Sequence, residues 1–156
     1  MSSLQISYSH LKLEDLTLKD QELIERAVKA MDGAHAPYSN FHVGSAVLLA
    51  DGQIVIGNNQ ENAAYPSGLC AERVALFAAM SNSQQEIAAI AIVARNAKKK
   101  PADAFACGSC RQVMLEYASK QEAPIRVVMG DHQGQFIVLD DVKKLLPFSF
   151  DFRTLG

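Results

Sequence analysis

Residues 41–57, FHVGSAVLLADGQIVIG, decide the fold class. Phe41–Ala50 is dense in Val and Leu, and Gln53–Gly57 resumes the apolar run. Asp51-Gly52 between them is the strongest short-range signal for a turn joining two antiparallel strands. Upstream, Leu18–Met31 places Leu23, Ile24, Ala27, Val28 and Met31 at helical spacing, with Thr17 or Asp20 available as a cap and Gly33 as a stop. Downstream, Cys70–Met80 combines good helix formers with the apolar stripe Val74, Leu76, Phe77 and Ala78, and Ile87–Ala94 is a nearly continuous apolar run suited to a buried strand. Ser109–Lys120 reads as a helix. Ile125–Met129 and Gln135–Leu139 read as strands on either side of the turn-forming Gly130–Gly134, and Asp140–Leu146 as a last short helix stopped by Pro147. Strands alternating with helices predict a layered α/β domain with one central sheet and helices on both faces. Residues 1–17 match no pattern and are expected to form an N-terminal lead to a single domain, 18–156.

Composition narrows the function classes. A chain of 156 residues fits one domain, and 49% hydrophobic with 21% charged residues is close to the globular average, so a packed core is feasible. The net charge of -2 gives no general pull toward nucleic acid or an anionic membrane. No apolar run reaches membrane-spanning length, and Met1–Lys12 lacks the pattern of a signal peptide, so no nucleic-acid or membrane partner and a cytoplasmic location are expected. Three cysteines cannot all pair within one chain, and two of them lie three apart. That favours free thiols or metal ligands over a disulfide framework, and a reducing compartment.

Each cysteine falls at an expected helix start, where the positive end of the helix stabilises the thiolate that binds metal. Cys107 and Cys110, three apart, can present their sulfurs to one ion, and Cys70 would complete a three-sulfur cluster. Zinc accepts tetrahedral thiolate sites, and a structural zinc normally shows four protein ligands. Here a fourth cysteine is missing and none of His10, His35, His42 and His132 lies beside a second motif ligand. An open fourth position, filled by water, marks a catalytic zinc. Cys107-x-x-Cys110 alone reads equally well as a redox pair, and a lone cysteine as a small buried hydrophobe. Cys70-Ala71-Glu72 shifts the balance, because zinc nucleobase deaminases combine three N/S ligands with an unligated Glu in the pattern His-x-Glu followed by Pro-Cys-x-x-Cys. Cys70 stands here in place of the His.

Five stretches then carry a specific resemblance. Pro37-Tyr38-Ser39-Asn40-Phe41-His42-Val43-Gly44, Asn59-Gln60-Glu61-Asn62-Ala63-Ala64-Tyr65-Pro66, Cys70-Ala71-Glu72-Arg73, Cys107-Gly108-Ser109-Cys110-Arg111-Gln112, and Leu145-Leu146-Pro147 with Phe150 resemble the short-chain cytidine deaminases in order and spacing. The resemblance runs from about Leu23 to Phe150. It implies a three-layer α/β/α cytidine deaminase-like fold with a central mixed five-stranded sheet. It also implies one zinc per chain held by Cys70, Cys107 and Cys110, with Glu72 as proton shuttle. Asn59 and Glu61 match residues that hydrogen-bond the ribose, Phe41 matches an aromatic beside the nucleoside, and Ala71 would offer its backbone N–H to the base. Tyr65 and Phe150 match residues that reach into a neighbouring subunit's site, Phe150 lying against the base, which implies a homotetramer with shared active sites. Arg73, three residues beyond Cys70, can reach back toward the thiolates and withdraw negative charge from them.

The implied reaction is hydrolytic deamination of cytidine and 2'-deoxycytidine to uridine and 2'-deoxyuridine. Zinc-bound hydroxide attacks C4, Glu72 moves the protons and ammonia leaves. The step belongs to pyrimidine salvage. A deaminase of a modified cytosine nucleoside, like blasticidin S deaminase, keeps the zinc chemistry, but Asn59-x-Glu61 argues against it. A polynucleotide-editing deaminase would show a basic stripe with stacking aromatics, and only Lys98–Lys100 hints at one. Two departures from the family stand out: Ala106 replaces the usual Pro before Cys107, removing some loop stiffness, and His35 replaces a common Tyr.

Overall fold

A computed structural model of the chain describes residues 1–155. Among these, the strands are β1 (Ser9–Lys12), β2 (His42–Leu49), β3 (Ile54–Asn58), β4 (Ile87–Arg95), β5 (Pro101–Ala102), β6 (Arg126–Gly130) and β7 (Gln135–Leu139). They form one sheet in the order β1-β7-β6-β4-β2-β3, with β5 paired to β4. The β4/β6 pair is parallel and the others are antiparallel, so the sheet is mixed. Helices α1 (Leu18–Ala30), α2 (Ala71–Asn82) and α3 (Gly108–Ser119) complete the frame.

The period of two along β4 builds the three layers. Ala89, Ala91 and Val93 point to one face, where Leu23, Ile24, Ala27 and Met31 of the α1 region cover them together with Val128, Phe136 and Val138. Ile90, Ile92 and Ala94 point to the other face, against Ala75, Leu76 and Ala79 of α2 and Cys110, Met114 and Ala118 of α3. A strand buried on both faces has no polar alternation, which is why Ile87–Arg95 reads as a continuous apolar run. The two helices that begin at Cys70 and Cys107 thus lie side by side on one face, with α1 on the other.

The five expected strands are β2, β3, β4, β6 and β7, within a residue or two at each end. The sheet is wider than five because two short edge strands join it. Part of the N-terminal lead joins the sheet: β1 pairs with β7 from Ser9↔Val138 to Lys12↔Gln135, and Leu16 is buried. Three of the four β1 residues are exposed, so no hydrophobic period marks the strand. At the Lys98–Lys100 loop, Pro101 and Ala102 add to the edge of β4. The segment expected as a closing helix over Asp140–Leu146 is a 3₁₀ turn, Val142–Leu145, with the Asp141 carboxylate accepting from the Lys143 N–H.

Other local details differ from the sequence expectation for identifiable reasons. Thr17 caps α1, its hydroxyl accepting from the Asp20 N–H at 3.1 Å. The Asp20 carboxylate is buried instead and takes a bidentate grip from Arg126, with Nε to Oδ1 at 3.1 Å and Nη2 to Oδ2 at 3.0 Å, tying α1 to β6. The hairpin loop has three residues, Ala50–Gly52, closed by the Leu49 amide on the Gln53 carbonyl. Gly52 sits at φ 90°, where a side chain would be strained. Gly57 of β3 is required by close approach: a Cβ there would lie 2.4 Å from the Ala75 nitrogen and 2.7 Å from the Ala71 oxygen. The first turn of α2, which carries Glu72, therefore rests directly on the β3 backbone. No helix among the described residues is long and apolar enough to cross a membrane.

Candidate active site

Cys70 is the N-cap of α2 and Cys107 the N-cap of α3, while Cys110 lies in the first turn of α3. Helix caps are usually Ser, Thr, Asp or Asn, whose oxygens satisfy the first free amides. Neither cap cysteine makes a side-chain capping bond, so both sulfurs remain available. The Cys70 and Cys107 sulfurs are 3.8 Å apart, and all three lie within 4.8 Å of one another. Zn–S bonds of about 2.3 Å in a tetrahedron set sulfurs ~3.8 Å apart, so the triad fits a zinc ion with little adjustment. Cys110 is fully buried, Cys70 half-buried and Cys107 exposed, so the cluster is anchored in the core and opens on one side.

Charge gathers on Cys70. A hydrogen bond from Cys110, with Arg73 and Cys107 adding to it, pulls the Cys70 thiol down to about 5 against the cost of burial. Cys110 is pushed up correspondingly, first by that same hydrogen bond and then by burial. Arg73 Nη2 lies 3.8 Å from Cys70 Sγ and 3.4 Å from the Gly68 carbonyl. Burial works against the Arg73 charge, but the Cys70 thiolate outweighs it and raises the guanidinium pKa.

Glu72, two residues beyond Cys70 in the first turn of α2, is only 4% exposed and among the few buried charged residues. Burial, reinforced by the Cys70 charge, raises its carboxyl to about 6. A group poised there can take up and release a proton near neutral pH. Ala71 is the first residue of α2, a position whose N–H has no acceptor within the helix.

Cys70, Cys107, Glu72 and Arg73 border a cavity of about 620 Å³, within the range of small-molecule sites. Phe41, Asn59, Glu61, Tyr65, Cys70, Glu72, Arg73 and Cys107 all line it. Asn59 also braces the start of β2, accepting from the Val43 N–H at 2.8 Å and donating to the Phe41 carbonyl at 2.9 Å. Glu61 accepts from the Tyr38 and Ser39 amides at 3.0 and 3.2 Å and from the Ser39 hydroxyl. The Ser39 hydroxyl bond, more than the two amides, holds the Glu61 pKa below the ordinary carboxylate value.

Three expected site residues do not border the cavity: Ala71 and Cys110 are fully buried behind its wall, and Phe150 lies elsewhere. Phe150 is 59% exposed and does not border this chain's cavity; Gln112 Nε2 on α3 holds its carbonyl at 2.9 Å. Sequence reasoning missed Asp103 and Phe105, which line the cavity from a loop without periodicity, and gave no role to Ser39 although its motif was visible. The departures from the family pattern are absorbed by backbone contacts. His35 joins the Asn59–Glu61 strand through its own N–H and carbonyl, at 3.0 and 2.8 Å, whatever its side chain. The Ala106 carbonyl is fixed by Arg111 Nε at 2.9 Å, and Arg111 also reaches the Leu145 carbonyl at 3.2 Å, which steadies the loop before Cys107.

Three convergent cysteine sulfurs beside a buried carboxylate, at the wall of a small-molecule cleft, define a zinc-dependent hydrolytic enzyme of the deaminase class. Comparison with known proteins agrees. Residues 17–123 match the family model described as the cytidine and deoxycytidylate deaminase zinc-binding region. A cytidine deaminase of Halalkalibacterium halodurans is 43% identical over 136 residues, covering 87% of this chain and 97% of the relative. One from Sporosarcina psychrophila is 38% identical over 87% of this chain and 94% of the relative. The crystal structure of cytidine deaminase from Burkholderia pseudomallei superposes with a TM-score of 0.74 at 39% identity, covering 86% of this chain and all of that one. The chain belongs to the zinc-dependent cytidine deaminase family.

Proposed function

We propose that the protein hydrolyses the 4-amino group of cytidine and 2'-deoxycytidine, giving uridine and 2'-deoxyuridine with release of ammonia. The observation that carries this reading is the buried Glu72 carboxyl, raised to about 6, beside the clustered sulfurs of Cys70, Cys107 and Cys110, with Glu72, Cys70 and Cys107 lining one cleft. Bound zinc supplies Lewis acidity that makes water a nucleophile near neutral pH. Glu72 takes a proton from the attacking water and delivers it to N3 of the ring, which makes C4 more electrophilic. The C4–O bond forms as the C4–N3 double bond becomes single, and Glu72 then takes the remaining proton from the new C4 hydroxyl and carries it to the amino group, so that the C4–N bond breaks with ammonia as the leaving group and the C4 carbonyl forms. Ala71 offers its free N–H to the base. Arg73 withdraws charge from Cys70, which offsets the excess negative charge that three thiolates place on a divalent ion.

Phe41 packs beside the nucleoside, while Glu61 and Asn59 recognise the ribose. Glu61→Ala is therefore expected to lower kcat/KM for cytidine roughly 10- to 150-fold, the value of a hydrogen bond to a charged group. Steady-state kinetics check this, and unchanged kinetics would remove the ribose assignment. The site is completed by neighbours in a homotetramer. Tyr65 is 78% exposed at the cavity rim and Phe150 lies outside its own cavity, which supports aromatics serving an adjacent site. Light scattering at micromolar concentration is expected to give four chains per particle, and a fully active monomer would contradict the shared site.

Incubating the zinc-loaded protein with cytidine, cytosine and a cytosine-containing oligonucleotide, and following ammonia, tests the substrate class. Release from cytidine alone is expected. Preference for the oligonucleotide would point to polynucleotide editing, and inactivity on all three to a modified nucleoside.

A further inference from the structure

Glu61 is held from an unusual direction. The turn that contains Tyr38 and Ser39 lies 22 and more residues upstream, closed by the Asn40 N–H on the Ala36 carbonyl at 3.0 Å. Asn40 leaves the turn at φ 52°, a left-handed conformation that Asn tolerates better than most residues. This geometry brings two consecutive amides to Glu61 Oε2 and the Ser39 hydroxyl to Oε1. The same hydroxyl oxygen accepts the Phe41 N–H at 3.0 Å. A Ser Oγ has one proton to give. Because its lone pair faces the Phe41 amide, that proton is directed to Glu61. A carboxylate offers about four lone-pair positions. Three are taken by the turn, and the one left on Oε1 belongs to a residue that lines the cavity.

We propose that Ser39 is a positioning residue for sugar recognition: its hydroxyl orients the Glu61 carboxylate so that one Oε1 lone pair faces a ribose hydroxyl, and couples that orientation to the backbone of Phe41. The proposal rests on the assignment of Glu61 to the ribose. Ser39 does not touch the reacting atoms. It links the two residues expected to hold the nucleoside at its sugar and at its side.

The test is a double-mutant cycle on the zinc-loaded enzyme, with Ser39→Ala, Ser39→Thr, Glu61→Ala and the Ser39→Ala/Glu61→Ala pair, assayed on cytidine and 2',3'-dideoxycytidine. Ser39→Ala is expected to lower kcat/KM for cytidine about 10-fold, mainly through KM, because it removes a hydrogen bond to a charged group. Ser39→Thr, which keeps the hydroxyl, should recover most of the loss. In the Glu61→Ala background the Ser39→Ala change should have no further effect, and discrimination between cytidine and the dideoxynucleoside should narrow in both single alanine variants. An equal Ser39→Ala loss with and without Glu61, or equal losses on both substrates, would make Ser39 a purely structural turn residue and overturn the proposal. Normal cytidine kinetics for Glu61→Ala would instead show that the ribose assignment itself is wrong, and wild-type inactivity on cytidine would reject the proposed reaction. Zinc content and melting temperature separate all of these from misfolding, since a Ser39→Ala chain that keeps both is folded.

Discussion

Glu72→Gln is expected to keep its fold and about one zinc per chain while losing at least ~10²–10⁴-fold in kcat. Glutamine matches the shape of glutamate, so a side chain buried to 4% exposure is replaced without a cavity or a clash. Metal retention is expected because the cluster that could hold the ion consists of the three sulfurs, without Glu72. Activity collapses because an amide cannot carry the two successive protons, and a group used twice sits at or above the top of the usual range for acid–base catalysis. The pH profile gives a second readout. The Glu72 carboxyl must be ionised to accept a proton, and burial places its pKa at about 6, so wild-type kcat/KM falls as pH drops through that value. Residual activity of the Gln variant should lack this acid limb. A variant that retained a tenth of normal kcat with full zinc would mean that another group moves the protons, and loss of zinc would make Glu72 a ligand.

Cys107→Ala is the other change with a large expected effect, and it discriminates better than Cys110→Ala. Cys110 is fully buried in the core shared by α2 and α3, so its removal mixes metal loss with packing loss. Cys107 is exposed, and alanine there removes a donor and little else. Two remaining thiolates make a poor zinc site, so metal content should fall below roughly a tenth of an ion per chain, with activity following it. Zinc bound only by the folded state stabilises by about 4 kcal/mol when free zinc exceeds its Kd about 1,000-fold. For a chain of this size that is worth on the order of 10 °C in Tm. Chelation should lower the wild-type Tm by about that much and leave the Cys107→Ala Tm unmoved. An alanine variant that kept one tightly bound zinc would remove Cys107 from the ligand set.

The parts of the fold that were legible in the sequence are those where burial imposes a pattern. β4 is buried on both faces and reads as a run, and α1 faces the sheet with one stripe and reads at helical spacing. β1 was illegible because an edge strand with three exposed residues owes its existence to hydrogen bonds with β7, which no periodicity reports. Asp20 looked like a cap because its partner, Arg126, is 106 residues away. The site divides in the same way. Cys70, Cys107, Cys110 and Glu72 belong to short motifs at helix starts, so residue type and spacing together disclosed them. Asp103 and Phe105 enter the cavity from an irregular loop, where only the tertiary fold sets position. The Ser39–Glu61 contact joins two motifs that sequence shows separately, and its chemistry appears only when the turn after Ala36 meets the strand-like segment at Asn59.

The most direct measurement of the proposed reaction is turnover of cytidine by the zinc-loaded protein in ¹⁸O-labelled water, with nucleoside product and ammonia quantified together. Uridine carrying one ¹⁸O at position 4 and one ammonia released for each uridine formed are expected, with neither produced by Glu72→Gln above a residual rate. Uridine without the label, ammonia out of proportion to it, or no product from cytidine at all would contradict it.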